Sequence, residues 1–194
     1  MNLQRLTLSE LKLCYQNYLL HHFPANEVRS LQSIEKLYSQ GVYTAYGYFM
    51  EQQLIAYAFC VSSQAHAVYL LDYYAVVPSH RKMGIGGQFL SQLTQTLNAK
   101  GILIEIETPS EHLPKEENRT RLRRIAFYER NGALLTPIGG DVFEVHFTLM
   151  YLPIECLISD VTLLEIILSL YQQMVPAHLF ERFVHYQYVA TPTS

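Results

Sequence analysis

The sequence has few cysteines and no long uninterrupted apolar run. Its three cysteines, Cys14, Cys60 and Cys156, are far apart and odd in number, so we expect neither a disulfide framework nor a zinc site. The longest apolar stretch, residues 161–170, contains Glu165 and is too short to span a bilayer. These absences exclude the small disulfide-rich class and the class with an apolar membrane-spanning helix.

A strong net charge is also missing. Fourteen lysines and arginines stand against 17 aspartates and glutamates, which gives a formal net charge of −3 and favours neither nucleic acid nor an anionic membrane as a partner. The histidines lack metal-ligand spacing, and the first residues lack the apolar core of a signal peptide. We therefore expect a cytoplasmic protein without a metal, a nucleic-acid partner or a membrane partner.

With 194 residues, 49% of them apolar, the chain is long enough for one well-buried α/β domain. Its hydrophobic periodicity predicts the element order βααβββαβαββ. The capping box from Thr7 to Glu10 opens the first helix, and hairpins combined with a strand–helix–strand crossover predict a mixed sheet. The predicted strands are residues 2–6, 42–50, 54–62, 67–77, 102–107, 133–136 and 142–151, with the last two around a turn at 137–140. The predicted helices are residues 8–20, about 28–40, 85–100, about 119–130 and 161–174, and residues 183–189 form one further strand.

Residues 76–87, VVPSHRKMGIGG, join a predicted strand to an amphipathic helix. Pro78 ends the ladder of the strand, and Gly84, Gly86 and Gly87 lack the Cβ that would keep a ligand away from the backbone. Successive N–H groups at the positive end of the helix dipole can then bind an anion such as pyrophosphate. Taken alone, the pattern also fits an ordinary glycine-rich turn.

Two familiar phosphate-binding motifs do not fit this loop. A Walker A loop needs lysine after its last glycine, where this chain has Gln88, and a dinucleotide fingerprint needs a third glycine, where it has Phe89. Instead, Arg81-x-x-Gly84-x-Gly86 resembles the Q/R-x-x-G-x-G/A signature of the GNAT superfamily of N-acetyltransferases. About 40 residues later, residues 126–133, AFYERNGA, resemble the A-x-x-F-Y-x-x-x-G-F helix end of the same family.

The resemblance covers about residues 2–151. It implies a mixed α/β fold of the GNAT-like acyl-CoA N-acyltransferase type, with an extra C-terminal helical segment. It also implies direct transfer of an acetyl group from acetyl-CoA to a primary amine in a ternary complex. We accordingly predict a GNAT domain over residues 1–151 and a C-terminal helix and tail over 152–194. The alternative is a coenzyme A-binding regulatory or interaction module with little or no catalysis.

The chain departs from the family pattern at four positions. Many members have glycine where Lys82 stands and a basic residue where Met83 stands; Arg121 replaces a frequent asparagine, and Ala133 replaces an aromatic residue. These are side-chain differences, so they leave the main-chain cradle for the pyrophosphate in place.

In the family the thioester lies where the fourth and fifth strands separate. The resemblance therefore implies that the main chain of Tyr74, Val76 and Val77 carries the pantetheine arm, and that the N–H of Val76 or its neighbour polarises the thioester oxygen. The implied cofactor-binding set is Tyr74, Ala75, Val76, Val77, Arg81, Lys82, Met83, Gly84, Ile85, Gly86, Gly87, Gln88, Arg124 and Tyr128.

The resemblance gives Tyr128 the role of protonating the departing thiolate, and packing in the core is the alternative role for this residue. For the proton acceptor, the sequence offers Glu107, Asp72 or an ordered water. Asp72 paired with an arginine and a simply solvated Glu105 are the structural alternatives.

The acceptor amine is not specified by any motif. In this fold, specificity depends on loops, here residues 20–26 and 110–118, and the carboxylates Asp72, Glu105 and Glu107 favour a cationic acceptor. The apolar helix at residues 161–174 needs a buried partner surface, for which we favour a second copy of the chain in a homodimer over the domain itself.

Overall fold

The computed structural model describes residues 1–25 and 27–189. The described strands form one mixed sheet in the order β1-β2-β3-β4-β5-β7-β6-β8, with β4 and β5 parallel. This arrangement confirms the predicted mixed α/β class. The strands are β1 (Asn2–Arg5), β2 (Tyr43–Met50), β3 (Gln53–Ser63), β4 (Val68–Val76), β5 (Gly101–Glu107), β6 (Leu134–Val142), β7 (Val145–Pro153) and β8 (Val184–Tyr188). The helices are α1 (Leu8–Cys14), α2 (Leu20–His22), α3 (Leu31–Ser39), α4 (Ile85–Thr96), α5 (Lys115–Arg130), α6 (Asp160–Met174) and α7 (Ala177–Phe183).

The chain divides into two compact units. The first unit comprises Met1–Gln64 and Leu71–Leu97, and the second comprises Ala65–Leu70 and Asn98–Ser194. Within the second unit, β4 pairs with β5 over residues 68–70 and 101–103. The boundary predicted after residue 151 stays a prediction, and its last residues, 190–194, lie outside the described part of the chain.

The first helical stretch is longer and less regular than predicted. Thr7 and Glu10 form the expected capping box at the start of α1. A π-helical segment, Tyr15–Leu19, then joins α1 to α2, so that helical structure reaches His22 rather than ending at residue 20. π-Helical turns are rare and are often found at functional sites.

The next two helices are shorter than predicted, because their ends are set by local backbone geometry. Ser30 caps α3 by accepting a hydrogen bond from the Ser33 N–H, so this helix begins at Leu31 and not near residue 28. At the end of α4, Leu97 is extended (φ −75°, ψ 123°), so this helix ends at Thr96 rather than near residue 100.

The predicted turn at residues 137–140 is wrong. Strand β6 continues through these residues, and the chain turns instead at Phe143 and Glu144, which have left-handed φ values of 48° and 69°. A shift of register between Leu135 and Gly139 interrupts the pairing of β6 with β7 around Pro137, which lacks the N–H that a regular ladder needs. The residues that suggested a turn are thus accommodated within an irregular strand.

Helix α6 packs against its own chain. Ser159 caps it as predicted, and it contacts β6 and β8. Its buried side chains follow helical spacing and are Leu163, Ile166, Ile167, Leu170, Tyr171 and Met174. The face that prompted the homodimer prediction is therefore covered within the second unit. Strand β8 confirms the predicted strand in the tail, whereas α7 was not predicted.

Candidate active site

The loop after β4 has the conformation that an anion-binding turn requires. Gly84 is left-handed (φ 76°, ψ −2°) and stands at the N-cap of α4, where no side chain caps the helix. A Cβ at Gly84 would meet no atom within 4 Å, so the positive φ, not crowding, calls for glycine. Lys82 is left-handed as well (φ 64°). The first-turn N–H groups of α4 thus lack a side-chain cap and suit an anion.

The predicted cofactor residues in and after this loop divide into exposed and buried positions. Met83 is 63% exposed, whereas Ile85 is buried at 6% and anchors the start of α4. Gly86, Gly87 and Gln88 complete the first turn of α4. The main chain of this turn, together with the cationic side chains of the loop, therefore fits a pyrophosphate.

Tyr74 braces the loop from the adjoining strand. Its hydroxyl donates a hydrogen bond of 2.5 Å to the Gly86 carbonyl, and its ring stacks on Phe89 of α4 with centroids 5.1 Å apart. Phe89 stacks in turn on Tyr48 of β2, at 5.3 Å. Tyr74 was predicted to act through its main chain; its side chain also fixes α4 against the sheet.

The main chain at the end of β4 distinguishes the two candidate amides. The Val77 N–H donates to the Ile55 carbonyl of β3 at 2.9 Å, so it is already used. The Val76 carbonyl accepts from Arg81 Nε at 3.0 Å. Successive residues of a strand point their main-chain groups to opposite edges, so the Val76 N–H faces away from β3. Ala75, the preceding residue, is half-buried.

Asp72 is paired with an arginine, which is the arrangement given above as the alternative to a role as proton acceptor. Its carboxylate accepts a 2.5 Å hydrogen bond from the Tyr43 hydroxyl and lies 3.7 Å from Arg29 Nε. Burial raises the pKa of Tyr43 well above its usual value, and the charge of Asp72 adds to this effect. The neutral phenol therefore remains a donor to the carboxylate.

Tyr73 ties the segment before α3 to the sheet, a role that no sequence pattern indicated. Its hydroxyl donates to the Glu27 carbonyl at 2.9 Å and accepts from the Arg29 N–H at 2.7 Å. The Tyr15 hydroxyl holds the Arg29 carbonyl at 3.1 Å. This segment follows the predicted acceptor loop at residues 20–26, of which Asn26 lies outside the described residues.

In the second unit, Glu107 is paired with two arginines of α5. One carboxylate oxygen lies 2.6 Å from Arg124 and the other 3.3 Å from Arg121. Arg121, at the position of the family's frequent asparagine, also donates to the Thr108 carbonyl at 2.8 Å and pairs with Glu117 at 2.7 Å. This substitution therefore links the end of β5 to α5, and Arg124, although half exposed, is paired with Glu107.

Tyr128 lies near the end of α5 and is 7% exposed. Its ring meets Phe127 edge-on, with centroids 5.0 Å apart. The helix ends directly after it, since Gly132 is left-handed (φ 93°) and the Tyr128 carbonyl accepts from the N–H groups of Asn131 and Ala133. Helix geometry thus fixes the backbone of Tyr128 firmly.

Glu105 has hydrogen-bond partners that the sequence does not predict. Glu105 of β5 accepts hydrogen bonds from the hydroxyls of Tyr171, at 2.9 Å, and Tyr186. Tyr186 reaches it by lying across β6 at Gly140, where a Cβ would be 2.4 Å from the ring. Glu105 is therefore held by tyrosines from α6 and β8, rather than simply solvated.

Replacing Gly140 with alanine is expected to lower the free energy of unfolding by about 1–3 kcal/mol, because the added methyl group overpacks the Tyr186 ring. Urea unfolding measures the change. The matched control is the same substitution in a Tyr186→Ala background, where the ring is gone and the cost should largely vanish. An equal loss of unfolding free energy in both backgrounds would show that Gly140 is not needed to accommodate the Tyr186 ring.

No cluster of three or more His, Cys, Asp or Glu side chains within residues 1–25 and 27–189 is arranged to hold a metal ion. Over the same residues, none of the helices has both the length and the apolar character needed to cross a membrane.

Comparison with known families and structures gives a consistent result. Residues 39–132 match the family model described as "Acetyltransferase (GNAT) domain". A putative GNAT acetyltransferase from Bacteroides thetaiotaomicron is 21% identical with a TM-score of 0.72, over 88% of this chain and 96% of that one. No curated protein matches the chain significantly.

Two more distant structures have similar folds. The ribosomal-protein-S18-alanine N-acetyltransferase from Escherichia coli is 18% identical with a TM-score of 0.57, over 82% of this chain and 97% of that one. An aminoglycoside 6′-N-acetyltransferase complexed with coenzyme A is 13% identical with a TM-score of 0.57, over 82% of this chain and all of that one (100%). At these identities the likeness establishes the fold alone.

Proposed function

We propose that this chain, in which residues 39–132 match the GNAT acetyltransferase family model, transfers an acetyl group from acetyl-CoA to a primary amine. The observation that carries the proposal is the loop from Arg81 to Gly87, which the family signature marks as the pyrophosphate site. Its left-handed Gly84 leaves the N-terminus of α4 without a side-chain cap, as an anion site requires.

Three groups of residues hold the cofactor in this proposal. The first-turn amides of α4 bind the pyrophosphate, with Arg81 and Lys82 adding positive charge beside it. The edge of β4 at Val76 binds the pantetheine arm, and the Val76 N–H, which points away from β3, polarises the thioester oxygen. Arg81 already contacts the Val76 carbonyl, so this side chain links the two parts of the site.

The chemistry needs an acid for the departing thiolate and a base for the attacking amine. Bound acetyl-CoA supplies the electrophilic thioester carbonyl. We assign the acid to Tyr128, a phenol whose reference pKa of about 10 is close enough to that of a thiol, about 8.5, for effective proton transfer. Glu107 and Asp72 remain candidate bases beside an ordered water, although protonating either carboxylate would weaken its arginine pairs.

The acceptor is a primary amine whose identity must come from assays. The carboxylates that favoured a cationic acceptor, Asp72, Glu105 and Glu107, each have partners within the protein, which removes that argument. The proteins of similar fold are named for spermidine, an aminoglycoside and an alanine of ribosomal protein S18, so suitable first acceptors are spermidine, an aminoglycoside and a peptide that begins with alanine.

Acetyl-CoA is expected to raise the melting temperature of the protein. A ligand that binds only the folded state adds about 2.7 kcal/mol of stability at 100 times its Kd. Gly84→Val should abolish this shift, because valine disfavours φ 76° and its side chain would occupy the open space beside the anion site. Thermal melting with and without acetyl-CoA measures both effects.

The chain offers a matched control in Gly41. Gly41 has φ 75° and, like Gly84, no atom within 4 Å of an added Cβ, so Gly41→Val should impose a similar backbone strain but keep the full acetyl-CoA shift. If Gly84→Val folds and also keeps that shift, the pyrophosphate site lies elsewhere. Acetyl-CoA binding without turnover of any amine would favour the regulatory-module alternative.

A further inference from the structure

His22, at the end of α2, is fixed against a buried tyrosine of β3. Its ring stacks on Tyr57 with centroids 5.7 Å apart and an interplanar angle of 14°. Its Nδ1 lies 2.9 Å from the Tyr57 hydroxyl. His22 itself is half-buried, whereas Tyr57 is fully buried. The imidazole is thus held in one orientation and still reaches the surface.

Contacts between β3 and β4 locate this histidine relative to the proposed thioester strand. The Val77 N–H pairs with the Ile55 carbonyl, and the rings of Phe59 and Tyr73 meet at 6.1 Å. Residue numbers rise along β3 as they fall along β4, so Tyr57, halfway between these contacts, lies opposite residue 75. His22, which stacks on Tyr57, therefore lies on the face of the sheet that residue 75 shares, one strand away from the segment that precedes Val76.

The electrostatic surroundings keep the imidazole neutral. Burial lowers the pKa of His22, and electrostatic interaction with Arg81 and His21 lowers it further. Two phenols also face the ring, those of Tyr18, at a centroid distance of 6.1 Å, and of Tyr57. Burial raises the pKa of Tyr57, so this phenol stays protonated and introduces no negative charge. A neutral imidazole is the form that can accept a proton.

We propose that His22 is the proton acceptor for the attacking amine, an inference that rests on the proposed acetyltransferase function. Nδ1 donates to the Tyr57 oxygen, which leaves the lone pair of Nε2 for the amine proton. The amine nitrogen forms a bond to the thioester carbon as its proton passes to Nε2. The carbon–sulfur bond breaks, and the sulfur leaves with the electron pair and takes a proton from the general acid.

His22 can accept a proton without losing an existing interaction, which neither carboxylate candidate can do. Asp72 and Glu107 lie within hydrogen bonds and ion pairs with other side chains, and accepting a proton would weaken those interactions. Accepting a proton at Nε2 leaves the Nδ1 hydrogen bond to Tyr57 intact. General base catalysis by a positioned side chain contributes about 10²–10⁴-fold to a rate.

His22→Asn tests the assignment, because an asparagine amide can replace Nδ1 toward Tyr57 but has no equivalent of Nε2. We expect kcat to fall about 100-fold or more, and the acidic limb of the pH profile to disappear. In the wild type that limb should lie below the usual histidine range, since the pKa of His22 is lowered and activity requires the neutral ring. The acetyl-CoA melting shift should be unchanged.

His178→Asn is the matched control, since it makes the same change at an exposed histidine outside the loops predicted to bind the acceptor and should leave kcat intact. The acceptors are spermidine, an aminoglycoside and an alanine-terminated peptide. Independently of turnover, imidazole NMR of wild type, assigned with His22→Asn, should show a depressed His22 pKa and the Nδ1–H tautomer in the acetyl-CoA complex.

An ordinary or raised His22 pKa, an Nε2–H tautomer in the complex, or unchanged turnover in His22→Asn would overturn the assignment. These failures are distinguishable from a failure of the proposed function. If wild-type protein shows no acetyl-CoA melting shift, the acetyltransferase proposal itself is wrong, whatever the titration of His22.

Discussion

Replacing Tyr128 with phenylalanine is expected to lower kcat by about 10²–10⁴-fold, the range for loss of a general acid. The substitution removes one hydroxyl and keeps the ring that meets Phe127 edge-on, so the end of α5 should stay folded. Affinity for acetyl-CoA should change little, because protonation of the thiolate stabilises the transition state and not the bound ground state. Steady-state kinetics and the acetyl-CoA melting shift measure the two quantities separately.

Tyr151→Phe is a suitable control for this experiment. Tyr151 is also buried in the second unit, where its hydroxyl donates to the carbonyls of Lys100 and Cys156. Losing these bonds should lower stability by about 1 kcal/mol and leave kcat unchanged. If Tyr128→Phe likewise alters stability alone, with normal turnover and pH profile, Tyr128 is a packing residue.

The features that the sequence predicted well are those whose cause is local. The capping box of α1 depends on Thr7 and Glu10, three residues apart. The loop before α4 depends on Pro78 and on Gly84, whose left-handed conformation few other residues adopt. Both signals lie within one turn of the structure that they specify, so reading them requires no knowledge of the tertiary fold.

Two features that the sequence did not predict involve partners distant in the chain. Glu105 is bound by hydroxyls 66 and 81 residues away, and nothing in its own strand indicates them. Gly140 suggested a turn because glycine is common in turns, yet here it makes room for Tyr186. The same residue type serves two purposes, and only the tertiary contact distinguishes them.

Candidate catalytic residues have the same difficulty. Strand periodicity correctly placed Asp72 in β4 and Glu107 in β5, but it could not show the arginines with which they pair. His22 matches no motif, and the role proposed for it depends on its contact with Tyr57, 35 residues away. Residue type and spacing therefore predicted the conformation of the loop before α4 better than the contacts of the candidate proton-transfer groups.

Replacing Ile167 with glutamate is expected to lower the free energy of unfolding by about 4 kcal/mol or more, since a buried, unpaired carboxyl is among the most damaging substitutions. Ile167 is fully buried, at 0% exposure, on the face of α6 that contacts β6 and β8. Urea unfolding measures the loss. Ile167→Ala, expected to cost about 2–5 kcal/mol, provides the measurement if the glutamate variant does not fold.

Val161→Glu is the matched control, because it introduces the same charge on the same helix at a position 61% exposed. Its effect should lie within about 0.5 kcal/mol. Light scattering of wild type and of both variants then decides between the two uses of α6. Loss of stability without a change in mass would show that α6 is part of the chain's own core. An Ile167→Glu protein that melts normally but dissociates from dimer to monomer would instead place this face between two copies, because the charge would then disrupt only the subunit contact.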